Sequence, residues 1–291
     1  MTESFDGDWL DLREPHDAAA RDLRLAILLA DALPARPSIL DLGAGTGSLL
    51  RWLAHFIPRA QAWTLVDADP GLIDRAFATT AERAASLGWA TGWPSRRTLL
   101  VHAPPGAWRV EGLVADLRHA PEGLPLDKVD AVVNTALCDL VSADWVARIA
   151  AACAARRLPF YAALNVTGRE RFTPAHPADA WVARGFARDQ LRDKGFGGVA
   201  LGARAPATIA AAFAAHGYTV HRAPSDWVID RRQSDMAGQL ADGHARAALA
   251  RQRRERTRII DWIIARRLAA ERQGLAARIG HQDVLCLPPR G

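Results

Sequence analysis

Three glycines at alternate positions, Gly43, Gly45 and Gly47, follow directly on the run Ser38, Ile39, Leu40, Asp41, Leu42 and lead into Ser48, Leu49 and Leu50. An apolar run, a glycine cluster and a helical pattern in that order read as strand, tight turn and helix. Glycine is required where the backbone takes positive φ or lets a ligand lie against it, and a helix start adds unpaired N–H groups. The chemistry expected here is the seating of a nucleotide-like ligand. A dinucleotide fingerprint would need glycine at position 48, where the chain has Ser48, so the spacing is G-x-G-x-G and no pyrophosphate cradle is expected.

A second acid belongs at the tip of the next strand. Ala62 to Asp69 supplies Asp67, twenty residues past Gly47, and Asp69. A carboxylate accepting from vicinal hydroxyls holds a ribose through two charge-assisted bonds. Asp67 is read in that role with Asp69 second. Asp69 before Pro70 also marks a helix start and is read as its cap.

With Asp41 before it, Asp-Leu-Gly-Ala-Gly-Thr-Gly resembles the first motif of class I S-adenosylmethionine (SAM) dependent methyltransferases. Two further stretches are similar to that family. Arg109 to Leu117 looks like a third strand ending in Asp116, the acid that reads the adenine amino group, with Leu117 on the ring face. Val129 to Val141 looks like a fourth strand whose tip faces the methyl. The resemblance implies SAM as cofactor, S-adenosylhomocysteine as product, and a binding set of Asp41, Gly43, Ala44, Gly45, Gly47, Asp67, Ala68, Asp69, Asp116, Leu117, Asn134, Thr135 and Ala136. It covers residues 36 to 165 by motif and the remainder by element order. It implies an α/β fold: a Rossmann-like, seven-stranded, mostly parallel sheet of order 3-2-1-4-5-7-6, last strand antiparallel, with helices on both faces and helical insertions.

The fine grain at the fourth strand narrows the acceptor. Base-amine methylating relatives carry an Asn/Asp-Pro-Pro-aromatic turn there and carbon-5 cytosine enzymes carry Pro-Cys. This chain reads Asn134, Thr135, Ala136, Leu137, Cys138. Both nucleic-acid chemistries are disfavoured, and Cys138 reads as a packing residue. The expected activity is methyl transfer to a small molecule. An RNA (rRNA or tRNA) methyltransferase using an arginine-rich stretch, or a SAM-binding protein with non-methyl chemistry, are the alternatives. A hydroxyl or ammonium acceptor needs a base, for which Asp139 and His176 are the candidates, with His16 after them.

The elements that position these groups follow from pattern. Residues 1–36 are read as an N-terminal helical cap, amphipathic after Pro15 and stopped by Pro34 to Pro37, with Trp9, Arg13 and Asp17 on the substrate side. Residues 37–291 form the catalytic domain. Its insertions are 167–205, a substrate cover carrying Arg169 and Lys194, and 231–275, two arginine-rich helices. Strands are expected at Thr98 to His102, Phe160 to Val166, Tyr218 to Ile229 with a break at Pro224, and Arg278 to Leu287. His281 starts near the ligand edge if that last strand is antiparallel.

Composition bounds the rest. A 291-residue chain that is 49% hydrophobic and 24% charged can bury a substantial core and is not a disordered one. The N-terminus lacks a signal-peptide pattern and no apolar run reaches membrane-spanning length, so a cytoplasmic protein with no membrane partner is expected, as monomer or homodimer. Three distant cysteines suggest neither a disulfide framework nor a metal site. The net charge of +5 rests almost wholly on arginine, since only Lys128 and Lys194 are lysine. Nine arginines against three acids lie between Arg246 and Arg272, a stretch read first as a solvated face. Lys194 could pair an acidic group on the acceptor.

Overall fold

The computed structural model describes residues 6–289. The chain begins with α1 (Gly7–Ala20) and α2 (Leu23–Ala32), then enters the sheet at β1 (Ser38–Leu42). Next come α3 (Ser48–Leu53), β2 (Gln61–Asp67), α4 (Pro70–Ser86), β3 (Thr91–Ser95), β4 (Thr98–Val101) and β5 (Trp108–Val114). The middle of the chain is β6 (Ala131–Thr135), α5 (Ala143–Arg156), β7 (Phe160–Thr173), α6 (Asp179–Gln190) and α7 (Ala205–Ala214). It closes with β8 (Thr219–Pro224), β9 (Trp227–Ile229), α8 (Ser234–Arg251), α9 (Arg256–Glu271) and β10 (Ala276–Leu287).

The sheet order is β3-β4-β5-β2-β1-β6-β7-β10-β8, with β9 also on β10. Within it, β5-β2-β1-β6-β7-β10-β8 is the expected 3-2-1-4-5-7-6, and β10 runs antiparallel to both β7 and β8. The expected count of seven is corrected to ten among the described residues. One addition is the hairpin β3–β4, in which β4 pairs antiparallel with β5 and so extends the edge. The other is β9, set off by the break at Pro224 and paired with Ala277 to Ile279. β7 also runs past Val166 to Thr173. Its polar end alternates exposed Arg169 and Arg171 with inward Glu170 and Phe172, and β10 pairs with it along that length. That period of two marks a half-buried strand despite the charge.

The N-terminal region forms two helices where one was expected. Asp6 caps α1, which begins eight residues ahead of Pro15 and accommodates it. The break falls at Arg21, whose backbone is extended, because Asp22 caps α2 by accepting from Leu25 N–H at 3.0 Å. The Asp22 N–H is itself held by Asp283 at 2.9 Å. A cap of this kind stabilises by about 1 kcal/mol. Residues 1–5 of the expected N-terminal cap and 290–291 at the other end lie outside the described residues.

Each face of the sheet carries a core. Ile39, Trp63, Leu65 and Tyr161 pack with Leu29, Leu49 and Phe77 on one side. Leu40, Leu42, Phe160 and Ala162 pack with Trp145, Ile149 and Phe213 on the other. Fully burying such side chains contributes roughly 1.5–3 kcal/mol each. A third cluster, built on Phe172, Trp227, Leu240 and Trp262, joins α6, α8 and α9 to the extended arm of β7 and β10. No helix of the described residues is long and apolar enough to cross a membrane.

Candidate functional site

The three glycines take φ of +66°, +53° and +82° at positions 43, 45 and 47, the left-handed region that side chains resist. Space is short as well. A Cβ on Gly43 would lie 3.2 Å from Leu137 Cδ1, and one on Gly45 3.1 Å from Leu10 Cδ1. The turn is pinned to the neighbouring strand: Ala44 N–H donates to the Val66 carbonyl at 3.0 Å and Gly45 N–H to Asp67 Oδ2 at 2.9 Å. Asp67 therefore both ends β2 and holds the glycine turn. Burial raises its carboxyl above the usual range, while the backbone donors of Asp69, Gly45 and Ala68 pull it back.

The other acids divide by environment. Asp69 accepts from Gly71 N–H at 2.8 Å and caps α4, as its place before Pro70 suggested. Asp116 accepts from Arg118 N–H at 2.9 Å and keeps an exposed carboxylate at the cleft. Asp41 is wholly buried on β1, neither of its carboxylate oxygens has a hydrogen-bond partner, and burial pushes its carboxyl up to about 8. The Arg21 guanidinium opposes that rise and Asp67 adds to it.

A cleft of about 410 Å³ opens over these strand tips. It brings together Gly43, Ala44, Gly45, Asp67, Ala68, Asp69, Asp116, Leu117, Thr135 and Ala136 of the expected cofactor set, with Arg13, Asp17 and Lys194 of the expected substrate side. Ala136 holds φ +51° there, a strained non-glycine backbone of the kind that gathers at functional sites. Asp41, Gly47 and Asn134 are not in the lining. Asp41 and Asn134 are buried, and Asn134 Oδ1 accepts from Cys138 Sγ–H at 3.3 Å. Burial raises the Cys138 thiol far from a reactive range, in keeping with a packing residue.

Neither base candidate lines the cleft. His176 precedes α6, where its N–H donates to Asp179 Oδ2 at 2.8 Å and its Nδ1 accepts from Ala178 N–H at 3.1 Å. Asp139 is buried beyond the β6 tip, and its carbonyl accepts from Gly202 N–H at 2.9 Å. Trp9 packs against the third core cluster and Arg169 is exposed on β7, both away from the lining. Leu10, Ser48, Leu137, Leu140 and Phe196 line the cleft without having been singled out as site residues. One signal was available: Leu10, Arg13 and Asp17 stand at i, i+3 and i+7, a single helix face.

α1 is fastened to α3 and α4 by residues outside the lining. Arg51 of α3 donates to Glu14, and Arg75 of α4 donates to Asp11 at 2.8 Å and Asp8 at 2.7 Å. Asp17, buried, accepts from Arg13 Nε at 3.1 Å and from Trp227 Nε1 at 3.1 Å, with Arg21 at 3.7 Å. Arg21 in turn donates to Ser48 Oγ at 3.0 Å and Thr135 Oγ1 at 3.1 Å. His281, a ring contact of Trp227 at 4.9 Å, has its pKa pushed down to about 4, mainly by burial. On the opposite side, Lys194 Nζ donates to Gln190 Oε1 at 2.8 Å, and the Phe196 carbonyl accepts from Ser142 Oγ at 3.1 Å. None of the arginines between Arg246 and Arg272 whose side chains are described lines the cleft.

No family model matches the chain, and no curated protein matches its sequence. Among solved structures, a candidate type II methyltransferase from Anaeromyxobacter dehalogenans superposes with a TM-score of 0.50 at 18% identity, over 93% of this chain and 97% of that one. A SAM-dependent methyltransferase from Geobacter sulfurreducens in complex with S-adenosylhomocysteine is 18% identical over 100% of both chains, with a TM-score of 0.42. A cyclopropane synthase from Mycobacterium tuberculosis is 15% identical over 91% of this chain and 83% of that one, with a TM-score of 0.45. At these identities the likeness is one of fold: the chain has the Rossmann-like fold of class I SAM-dependent methyltransferases.

Proposed function

We propose that this chain is a SAM-dependent methyltransferase whose acceptor is a small molecule. The observation that carries the reading is the meeting of the triple-glycine turn, Asp67 and the Asp116–Leu117 pair on one cleft. These residues fit the cofactor. Asp67 offers a carboxylate for the ribose hydroxyls, Asp116 an acceptor for the adenine amino group, and Leu117 an apolar face for the ring. The glycines at 43 and 45 admit the amino-acid end where any side chain would intrude. Asp41 lies beneath that turn with two unpartnered oxygens, a place where an ammonium group above would favour its charged form.

When bound, the cofactor would supply a methyl activated by the positive charge on its sulfur. What remains for this chain is to align the acceptor, exclude water and take a proton. The face of Leu10, Arg13 and Asp17 is assigned to the acceptor, and Asp17 is the carboxylate on that face. Lys194 and Phe196 cover the cleft from the segment after α6, and Thr135 and Ala136 would lie beside the transferable methyl. The arginine-rich helices contribute no lining residue, which favours a small acceptor over RNA.

Calorimetry with SAM and S-adenosylhomocysteine, followed by incubation with methyl-labelled SAM, metabolite extract and RNA, tests the reading. Binding with label in a small product supports it. Label in RNA transfers it to the alternative, and absence of cofactor binding ends it.

A further inference from the structure

Away from the cleft, α6 crosses α8 so closely at Gly185 that a Cβ there would lie 2.7 Å from Ala248 Cα and 2.5 Å from Gln252 Nε2. The crossing sets α6 arginines beside those at the end of α8. Trp181, Arg188, Arg251 and Arg254, with the carboxylate of Glu255, line a separate depression of about 460 Å³ that shares no residue with the cleft. The Trp181 ring has the Arg184 guanidinium 4.2 Å and the Arg258 guanidinium 5.3 Å from its centroid. Three guanidinium groups thus line one depression, and two more rest on the Trp181 ring at its edge. Two carboxylates answer them: Asp189 accepts from Arg251 at 2.9 Å and Glu255 from Arg258 at 2.7 Å. Among the described residues no carboxylate pairs with Arg188 or Arg254.

We infer that this depression is a binding site for a small polyanion bearing a diphosphate or comparable group, held by the forked N–H donors of Arg188, Arg251 and Arg254 beside Trp181. Three physical points favour that occupant. The cationic excess is self-repelling, and a multiply charged oxyanion bridging the forks relieves it. Guanidinium forks read phosphate bidentately, and those of Arg188 and Arg254 have no carboxylate partner among the described residues. The Trp181 ring is already engaged by two cations, so it offers no bare stacking platform for a run of nucleobases, and the cavity has the volume of a small-ligand site.

The test is calorimetry on the full chain at low ionic strength with inorganic pyrophosphate. One saturable event per chain is expected, weakened at least about tenfold in an Arg188→Gln/Arg254→Gln double variant that keeps the wild-type melting temperature. Adenosine diphosphate as a second probe separates the sources: equal affinity means that only the phosphates are read, and tighter binding identifies a nucleoside diphosphate. Absence of saturable binding by either probe, or affinity undiminished in the double variant, overturns the inference. So does a single-stranded oligonucleotide that binds through these arginines and is not displaced by pyrophosphate. None of these readouts depends on methyl transfer.

Discussion

The two long walls of the cleft are made of different material. One is backbone at strand tips: the turn from Gly43 to Gly47 pinned by Asp67, and the chain at Asp116 and Ala136. The other is side chains on α1, fastened to α3 and α4 by Glu14–Arg51 and Arg75–Asp11 ion pairs. A backbone wall can serve only a ligand whose shape does not vary, whereas a helix face changes its chemistry with a single substitution. The first suits an invariant cofactor and the second an acceptor. Each substitution below breaks or sharpens that contrast.

The largest effect is expected beneath the backbone wall. With the Asp41 carboxyl pushed up to about 8 by burial, the folded protein keeps a proton that the unfolded chain has shed above its ordinary carboxylate pKa. The Asp41 contribution to wild-type stability therefore falls as pH rises from about 4 towards about 8, by at most about 1.4 kcal/mol per pH unit, and levels off above that. Asp41→Asn has no such slope. Denaturant titrations should find the variant gaining on wild type by several kcal/mol between pH 5 and pH 8. A constant difference across that range would mean that Asp41 is ionised in the folded protein. His244 and His281, both pushed down to about 4 by burial, lose stability in the opposite direction, as pH falls below their ordinary value, and cancel in the difference.

Gly45→Val comes next. It forces a β-branched residue to φ +53° with Leu10 Cδ1 3.1 Å from the new Cβ. Strain of about 1–3 kcal/mol plus the intruding methyls should weaken S-adenosylhomocysteine binding by roughly 100-fold in calorimetry. Affinity within threefold of wild type would show that the turn does not touch the ligand.

The same contrast explains how far the sequence could be read. Backbone requirements leave a mark on residue type: glycine is needed at 43 and 45, an acid closes β2, and buried strands are continuously apolar, so the central strands were legible, and ten of the expected cofactor positions lie in the lining. Side-chain walls leave none. Trp9 and Asp17 lie on one helix, yet only Asp17 reaches the cleft, because Trp9 turns to the third core cluster. The charged end of β7 falls in the expected 167–205 insertion, and its strand character is hidden in the sequence because its partner, Ala276 to Ile279, lies over a hundred residues away. Asp139 and His176 were base candidates by residue type alone, and packing put both outside the lining.

Asp17→Asn probes the α1 wall from within. The carboxylate is buried between Arg13, Arg21 and the Trp227 indole, so neutralising it leaves two guanidinium groups short of their counter-ion. A stability loss of about 2–3 kcal/mol is expected from denaturant midpoints. If turnover falls while the variant stays folded and S-adenosylhomocysteine affinity holds, Asp17 acts on the acceptor side of the cleft. A loss below about 0.5 kcal/mol would mean that the network is solvated and α1 only loosely seated.

Arg13→Met should give the smallest effect and the cleanest separation of the walls. The methionine keeps an apolar body over Trp227, where the guanidinium now sits 4.8 Å from the ring centroid, and leaves Asp17 with Arg21 and the indole N–H. What disappears is one cationic group in the cleft. If α1 serves the acceptor, the acceptor KM rises about tenfold, or about 1.4 kcal/mol, while S-adenosylhomocysteine affinity stays within twofold. The reverse pattern, with cofactor affinity lost and acceptor KM unchanged, would assign α1 to the cofactor. The acceptor would then have to meet the methyl from the side of Leu140, Lys194 and Phe196.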